Sequence, residues 1–280
     1  MATSCAIYYF SATGNSLAVA LELSKRLNAP EPISIPGTLI LEDPYYAAKK
    51  ADQVGFVFPV HRVSLPEMVR GFIEKMPKRQ DCYYFAVSTY TVFGCNEFWD
   101  IDEILGAESC WLNYAAGVKT MGNVGLFDPN SKAISYRMKQ ISEQVEEIAE
   151  AVGNFQENTF RRSSKLLGRL VKLYTDKHRQ SIVFTVNNHC KKCGICSQVC
   201  PAQNVIMRGE EDSSPPPIRS DKCEACYACL HWCPANAIGT MRKLHTHYHH
   251  PNIKPEQLNP VQSDMGEPEA SEVAQEKHDG

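Results

Sequence analysis

Eight of the chain's twelve cysteines lie between residues 190 and 233, in two copies of one spacing. Cys190, Cys193, Cys196 and Cys200 precede Pro201, and Cys223, Cys226, Cys229 and Cys233 precede Pro234. Each copy reads C-x2-C-x2-C-x3-C-P, a run that holds iron–sulfur clusters. Three thiolates two residues apart line a tight turn of backbone and converge on one cubane. The fourth, at the start of a helix, points away and ligates the other cluster. This geometry assigns one [4Fe-4S] cluster to Cys190, Cys193, Cys196 and Cys233, and a second to Cys223, Cys226, Cys229 and Cys200.

The repeat extends beyond the cysteines. His189 to Val205 superposes on Lys222 to Ile238 with an offset of 33 residues, setting Ala202 opposite Ala235 and Val205 opposite Ile238. Self-similarity of this kind predicts two half-domains packed about a pseudo-twofold axis, each burying its apolar residues on the other. Residues 182 to 243 resemble the two-cluster bacterial ferredoxins. Two other uses of cysteine are weighed against this. Structural zinc takes two CxxC-type pairs separated by a longer loop, and disulfides belong to oxidising compartments.

The length of 280 residues favours two domains, and 43% hydrophobic content is ample for buried cores. A net charge of -3 gives no reason to expect nucleic acid as a partner. Met1 to Phe10 lacks the charged start and long apolar core of a signal peptide, and no apolar run approaches ~18 residues. The expectation is a soluble, cytoplasmic protein with no membrane partner, and the oxygen sensitivity of its clusters points to an anaerobic host.

Near the N-terminus, residues 4 to 10 are a short run of strand formers ending at Ser11-Ala12-Thr13-Gly14-Asn15-Ser16. Leu17, Ala18, Leu21, Leu23 and Leu27 then recur with a roughly helical period. A strand, a small-residue loop and a helix in that order make a phosphate cradle of backbone N–H groups, a positive helix end and hydroxyls. The loop has no Lys or Arg, no G-K-[ST] ending and no G-x-G-x-x-G, so neither a magnesium triphosphate nor a dinucleotide fits. A single phosphate monoester remains. An ordinary strand-to-helix turn with Thr13 or Ser11 as N-cap is the plainer alternative.

Further strands are expected at 53–58, 83–88 and 109–116, with a weaker one near 33–41. Helices are expected at 65–76, 96–105 and 131–152. Five strands alternating with helices give an α/β doubly wound parallel sheet. The loop from Ser11 to Ser16 resembles the FMN-phosphate loop of flavodoxins, [ST]-x-[ST]-G-x-[ST]. That resemblance implies strand order 2-1-3-4-5, with FMN at the carboxyl ends of strands 1, 3 and 4. Its phosphate would fall to Ser11, Thr13, Gly14, Asn15 and Ser16.

The resemblance also implies that the loops after strands 3 and 4 hold the flavin ring. These carry Pro59, Val60 and His61, then Thr89, Tyr90, Phe93 and Gly94, with Tyr90 and Phe93 as stacking candidates. His61 is a candidate donor to reduced flavin, and Cys95 lies beside the expected ring. Cys5, Cys82 and Cys110 read as core filler. Asn113 and Tyr114 are a further candidate for the ligand edge.

Residues 155–180 are basic and helical in pattern, with Leu166, Leu167, Leu170, Val171 and Tyr174 on one face. They read as a docked connector or as a patch steering an acidic redox partner. The prolines at 215–217 mark an exposed loop between the two halves. From about His245 onward the chain is polar and is expected to be disordered, with His245, His247, His249 and His250 as possible ligands for a stray transition metal. The expected domains are 1–153, a linker at 154–181, a small α+β ferredoxin domain at 182–243 and a tail at 244–280.

The whole resembles the anaerobe iron–sulfur flavoproteins that fuse a flavodoxin to a ferredoxin. Three functions follow. The first is an electron-transfer protein with two [4Fe-4S] clusters and FMN, passing low-potential electrons between redox partner proteins. The second is an FMN-dependent reductase fed by its own clusters. The third is a cluster-binding redox sensor without flavin. No dinucleotide fingerprint favours the reductase and no DNA-binding motif favours the sensor.

Overall fold

The computed structural model describes residues 3–61, 64–91, 97–121, 131–159, 173, 184–207, 223–240 and 247–259. The first unit is built on five parallel strands, β1 (Cys5–Tyr9), β2 (Ile33–Ser34), β3 (Gln53–Pro59), β4 (Tyr83–Tyr90) and β5 (Leu112–Lys119). Their order is β2-β1-β3-β4-β5, the flavodoxin-like order expected from the sequence. Between the strands run α1 (Asn15–Arg26), the short α2 (Ile35–Thr38) and α3 (Tyr46–Lys50), α4 (Glu67–Lys75) and α5 (Glu97–Gly106); α6 (Ser131–Gly153) follows β5.

β1, β3 and β4 carry near-continuous apolar runs because helices cover both faces of a parallel sheet. Ile7, Tyr8, Val54, Phe56, Phe58, Phe85 and Val87 are all buried. Close packing explains Gly55: a Cβ there would lie 2.1 Å from Phe85 Cζ. Cys5, Cys82 and Cys110 are buried, as expected of core filler. Burial pushes the Cys5 thiol up to about 12 and the Cys82 thiol up to about 11.

Two strands depart from expectation. The weak strand near 33–41 is only Ile33–Ser34, because Ser34 accepts from the Gly37 N–H and caps α2 behind it. The last strand begins at Leu112 rather than near 109, since Ser109 has a left-handed backbone (φ 60) that ends the α5 turn. Beyond α6, Asn158 lies along the outer edge of β5. Its side chain accepts from the Ala115 N–H and donates to the Ala115 carbonyl, each at 2.9 Å, and so covers that edge. From residue 160 on, the basic joint lies outside the described residues, Leu173 excepted.

The second unit pairs β6 (Phe184–Val186) antiparallel with β7 (Ile238–Thr240) and holds two one-turn helices, α7 (Ile195–Gln198) and α8 (Ala228–His231). The 33-residue repeat is visible in the backbone. Lys192 and Ala225 both have φ 52, Gln203 and Asn236 have φ 49 and 48, and Gly194 and Tyr227 are both left-handed. Val199 and Trp232, which close α7 and α8, are buried in the same apolar cluster as the sheet core. This small α+β unit therefore seats on the first.

The expectation of a disordered tail from residue 244 does not describe residues 247–259. Tyr248, His250, Ile253 and Leu258 are buried, and a 3-10 turn spans Pro255–Gln257. Four side chains spaced along a polar segment anchor it without any regular period, which is why composition alone reads as disorder. Among the described residues, no helix is long and apolar enough to cross a membrane.

Candidate functional site

The eight cysteines sort into two cavities. One is lined by Cys190, Cys193, Cys196 and Cys233. The other is lined by Cys200, Cys223, Cys226 and Cys229. In each, three thiols come from one half of the repeat and the fourth from the other. The left-handed residues Lys192, Gly194, Ala225 and Tyr227 turn the chain around these cavities. Gly194 and Tyr227 open α7 and α8, which carry Cys196 and Cys229 inward.

Backbone N–H groups reach the sulfurs: Asn204 to Cys200 at 3.1 Å, Ala237 to Cys233 at 3.3 Å, and Ala225 to Cys223 at 3.3 Å. Such bonds favour electron-rich sulfur. Burial, reinforced by neighbouring thiols, holds Cys229 well above the usual thiol range, and burial raises Cys226 too; Cys196 is pushed up to about 11. These thiols stay protonated at neutral pH unless a cationic core shares the cavity. The remainder of each cavity is mostly apolar, with Val186, Met207 and Ile238 in the first and Phe184, Val205 and Ala228 in the second. The two surroundings differ. Cys193 is exposed beside exposed Lys191 and Lys192, whereas its counterpart Cys226 is buried.

The second candidate site is the loop from Phe10 to Asn15, between β1 and α1. The N-cap of α1 is Gly14 (φ 90), with no side-chain capping bond and no acidic residue in the first turn. The plainer alternative, a turn capped by Thr13 or Ser11, is therefore not what the structure has. Ser11 is 2% exposed, and its hydroxyl is buried without a hydrogen-bond partner among the described residues. An uncapped, buried, positive helix end beside an orphaned hydroxyl is suited to an anion.

Two of the other loop candidates are occupied with the protein itself. Asn15 Nδ2 donates to the Met121 carbonyl at 3.1 Å, and Asn15 Oδ1 accepts from Tyr248 at 2.9 Å. Ser16 pairs with Thr89 at 2.8 Å, so that Thr89, a ring-loop candidate, braces the phosphate loop from β4. Thr13 is buried, and its carbonyl accepts from the His250 N–H at 2.7 Å.

The ends of β3 and β4 bring the described ring candidates together. The Val60 N–H donates to the Thr89 carbonyl at 2.9 Å, and Pro59 pairs with Thr89 across the strands. His61 forms an antiparallel bridge with Ser64 and meets the Phe10 ring edge-on at 5.6 Å. The half-buried Tyr90 lays its ring against Gly117, where a Cβ would fall 2.6 Å from Cε1. Phe93, Gly94 and Cys95 lie outside the described residues. Asn113 does not reach this edge: it sits at the start of β5, where it accepts from the Tyr84 N–H.

Sequence reasoning missed the cover on the loop between β1 and α1. Trp232 donates its indole N–H to the Ala12 carbonyl at 2.9 Å and stacks on His249 at 4.1 Å. His247 meets the Leu230 carbonyl, and Tyr9 donates to the Gln257 carbonyl at 2.9 Å. The tail histidines are thus spread along a strap, and among the described residues no group of three or more metal-binding side chains forms a single-ion site. His245 lies outside the described residues. The only signal in the sequence was the few apolar and aromatic residues, Tyr248, Ile253 and Leu258, in a polar stretch.

Residues 182–234 match the family model of the 4Fe-4S dicluster domain. Solved structures similar to the first unit include a putative flavoprotein from Bacteroides uniformis, with 12% identity over 54% of this chain and 99% of that one and a TM-score of 0.37. A flavodoxin, WrbA-like protein from Agrobacterium tumefaciens has 14% identity over 55% and 99%, with a TM-score of 0.38. A Streptococcus pneumonia flavodoxin has 15% identity over 52% and 99%, with a TM-score of 0.33. A search of the curated proteins finds no match. The strand order of the first unit and the family match of the second define the class: a flavodoxin-like α/β domain followed by an iron–sulfur domain. The chain has the layout of a flavodoxin–ferredoxin fusion.

Proposed function

We propose that this protein is an electron carrier holding two [4Fe-4S] clusters and FMN, and that it passes low-potential electrons between redox partner proteins. The observation that carries this reading is the sorting of eight cysteines into two four-thiol cavities, each completed by a cysteine of the other half. Cys190, Cys193, Cys196 and Cys233 would hold one cluster, and Cys200, Cys223, Cys226 and Cys229 the other. Each cluster supplies one-electron exchange and FMN one- or two-electron exchange, which suits a link between carriers of different stoichiometry.

For the flavin, the fit rests on the phosphate end. The orphaned Ser11 hydroxyl, the buried Thr13 and the uncapped start of α1 suit a phosphate monoester. Asn15, Ser16 and Thr89 hold the loop in shape rather than offering free donors. Pro59, Val60, His61 and Tyr90 would border the ring, with Phe93 and Gly94 next to them in sequence. Trp232, Val199 and Ala228 keep water away from the side of the iron–sulfur unit that faces the sheet. The exposed edge at Lys191, Lys192 and Cys193 is the side a soluble partner can approach.

Iron, acid-labile sulfide and released flavin, measured on protein purified without oxygen, test the reading. About eight iron, eight sulfide and one FMN per chain are expected. About four iron sinks the two-cluster assignment, and full iron with no flavin sinks the FMN assignment.

A further inference from the structure

The phosphate loop is gripped on one side by parts of the chain that do not belong to the flavodoxin-like unit. The Ala12 carbonyl accepts from Trp232 of the iron–sulfur unit, and the Thr13 carbonyl accepts from His250 of the strap. Both peptide bonds are trans, since the described residues include no cis peptide. In a trans peptide, C=O and the following N–H point in opposite directions. Fixing the carbonyls of residues 12 and 13 on the covered side therefore turns the N–H groups of Thr13 and Gly14 to the other side. Among the described residues neither N–H has a hydrogen-bond partner.

The strap is held in place at three further points. Tyr248 donates to Asn15 Oδ1, the Tyr248 N–H donates to His231 Nδ1 at 3.3 Å, and Leu258 accepts from Tyr9 and Ser34. His250 and Ile253 fill the space where a Gly14 side chain would stand, with Cβ distances of 2.9 and 3.0 Å. Leu258 holds the strap at β1 and β2 through Tyr9 and Ser34, whereas His61 and Tyr90 lie at the ends of β3 and β4.

We infer that the iron–sulfur unit and the strap preorganise the anion nest for the phosphate ester of FMN. Trp232 and Tyr248 are positioning residues: they touch the loop from behind and act through it. Trp232 directly precedes Cys233, which lines the first cysteine cavity, so assembly of the iron–sulfur unit and tightness of the phosphate site are coupled. The inference rests on the flavin reading above and adds that its affinity depends on residues outside the flavodoxin-like unit.

The test compares FMN with riboflavin, which has the same ring and no phosphate, by flavin fluorescence quenching on the full chain with its clusters in place. Trp232→Phe keeps the stacked ring and loses the donor; Tyr248→Phe loses only the hydroxyl. Each is expected to raise the Kd for FMN about fivefold, the value of one hydrogen bond, while changing that for riboflavin by less than about twofold. Iron content serves as the folding check, and Tyr248→Phe keeps the test informative if Trp232→Phe assembles poorly. Equal shifts for both flavins, or FMN affinities unchanged in both variants, overturn the inference while leaving the electron-carrier reading intact. A wild-type chain with full iron that binds neither flavin overturns the flavin reading itself, and this inference with it.

Discussion

Cys200 and Cys233 stand at the same place in the two halves of the iron–sulfur unit, and each accepts a backbone N–H from the residue four positions on, Asn204 at 3.1 Å and Ala237 at 3.3 Å. Each nevertheless lines the cavity of the other half. The turn after each short helix reverses the chain, so that the fourth thiol of a motif leaves the loop formed by its first three. The two halves are thereby tied together through whatever fills the cavities, and neither cavity is complete in one half alone.

Substitutions of cysteine should therefore group by cavity and not by motif. Cys233→Ala is expected to reproduce the spectrum and iron loss of Cys190→Ala, although Cys233 lies in the second motif. Cys200→Ala is expected to match Cys223→Ala. Each variant should lose up to about half of the iron where the other cluster survives. Electron paramagnetic resonance of the reduced variants, with iron analysis, reads the grouping. A pattern in which Cys233→Ala matches Cys223→Ala would show that each motif holds its own cluster.

Two glycines with open space around them should respond to the same change with opposite sign. A Cβ on Gly194 or on Gly71 would meet nothing within 4 Å. Gly194 has φ 79, a conformation that costs an L-residue about 1–2 kcal/mol, so Gly194→Ala is expected to destabilise the protein by that amount. Gly71 lies inside α4, where Ala is favoured over Gly, so Gly71→Ala should stabilise by about 0.5–1 kcal/mol. Anaerobic urea denaturation of the two variants beside wild type measures both.

Tyr90 offers a test of the ring side of the proposed flavin site. A Gly117→Ala methyl would fall 2.6 Å from Cε1 of Tyr90, the outer part of a side chain at the strand end that can swing away. The expected outcome is a displaced Tyr90 with a modest stability loss of about 1–3 kcal/mol. If Tyr90 packs on the flavin, the Kd for FMN and that for riboflavin should rise together, because both share the ring. An unchanged Kd for both would remove Tyr90 from the site.

Much of this architecture was legible from residues alone, for identifiable reasons. The cysteine spacing fixes which thiols share a turn, and an offset of 33 residues between segments that share their cysteine and proline positions predicts equivalent backbone, as Lys192 and Ala225 show at φ 52. The buried strands of the parallel sheet announce themselves as apolar runs because both faces are covered. β2 did not, since two residues carry too little pattern and Ser34 is spent on capping α2. The strap was illegible for a different reason. Its hold on the phosphate loop uses backbone groups, the His250 N–H on the Thr13 carbonyl and the Leu258 carbonyl under Tyr9, which any residue could supply. Composition reports neither those main-chain bonds nor the seating of four buried side chains that follow no regular period, so the segment reads as a tail.

His250 should make the hold of the strap depend on pH. It is buried beside His249, and burial first, with repulsion from His249 second, lowers its pKa below the usual 6.5. Its Nδ1 accepts from the Asn252 N–H at 3.3 Å, a bond that only the unprotonated nitrogen can make. Because the folded-state pKa lies below the unfolded one, His250 contributes its stability fully above pH ~6.5, and that contribution is lost as pH falls from there through the folded-state value. Over that window one proton gives a slope of at most about 1.4 kcal/mol per pH unit. Amide hydrogen exchange at Ile253 and Leu258, followed from pH 8 to 5.5 and corrected for the intrinsic rate, should show protection falling on the acid side. In His250→Asn the pH dependence should flatten, because Asn keeps a polar side chain and does not titrate. A wild-type profile that is flat between pH 7 and 5.5 would mean that His250 does not govern the strap.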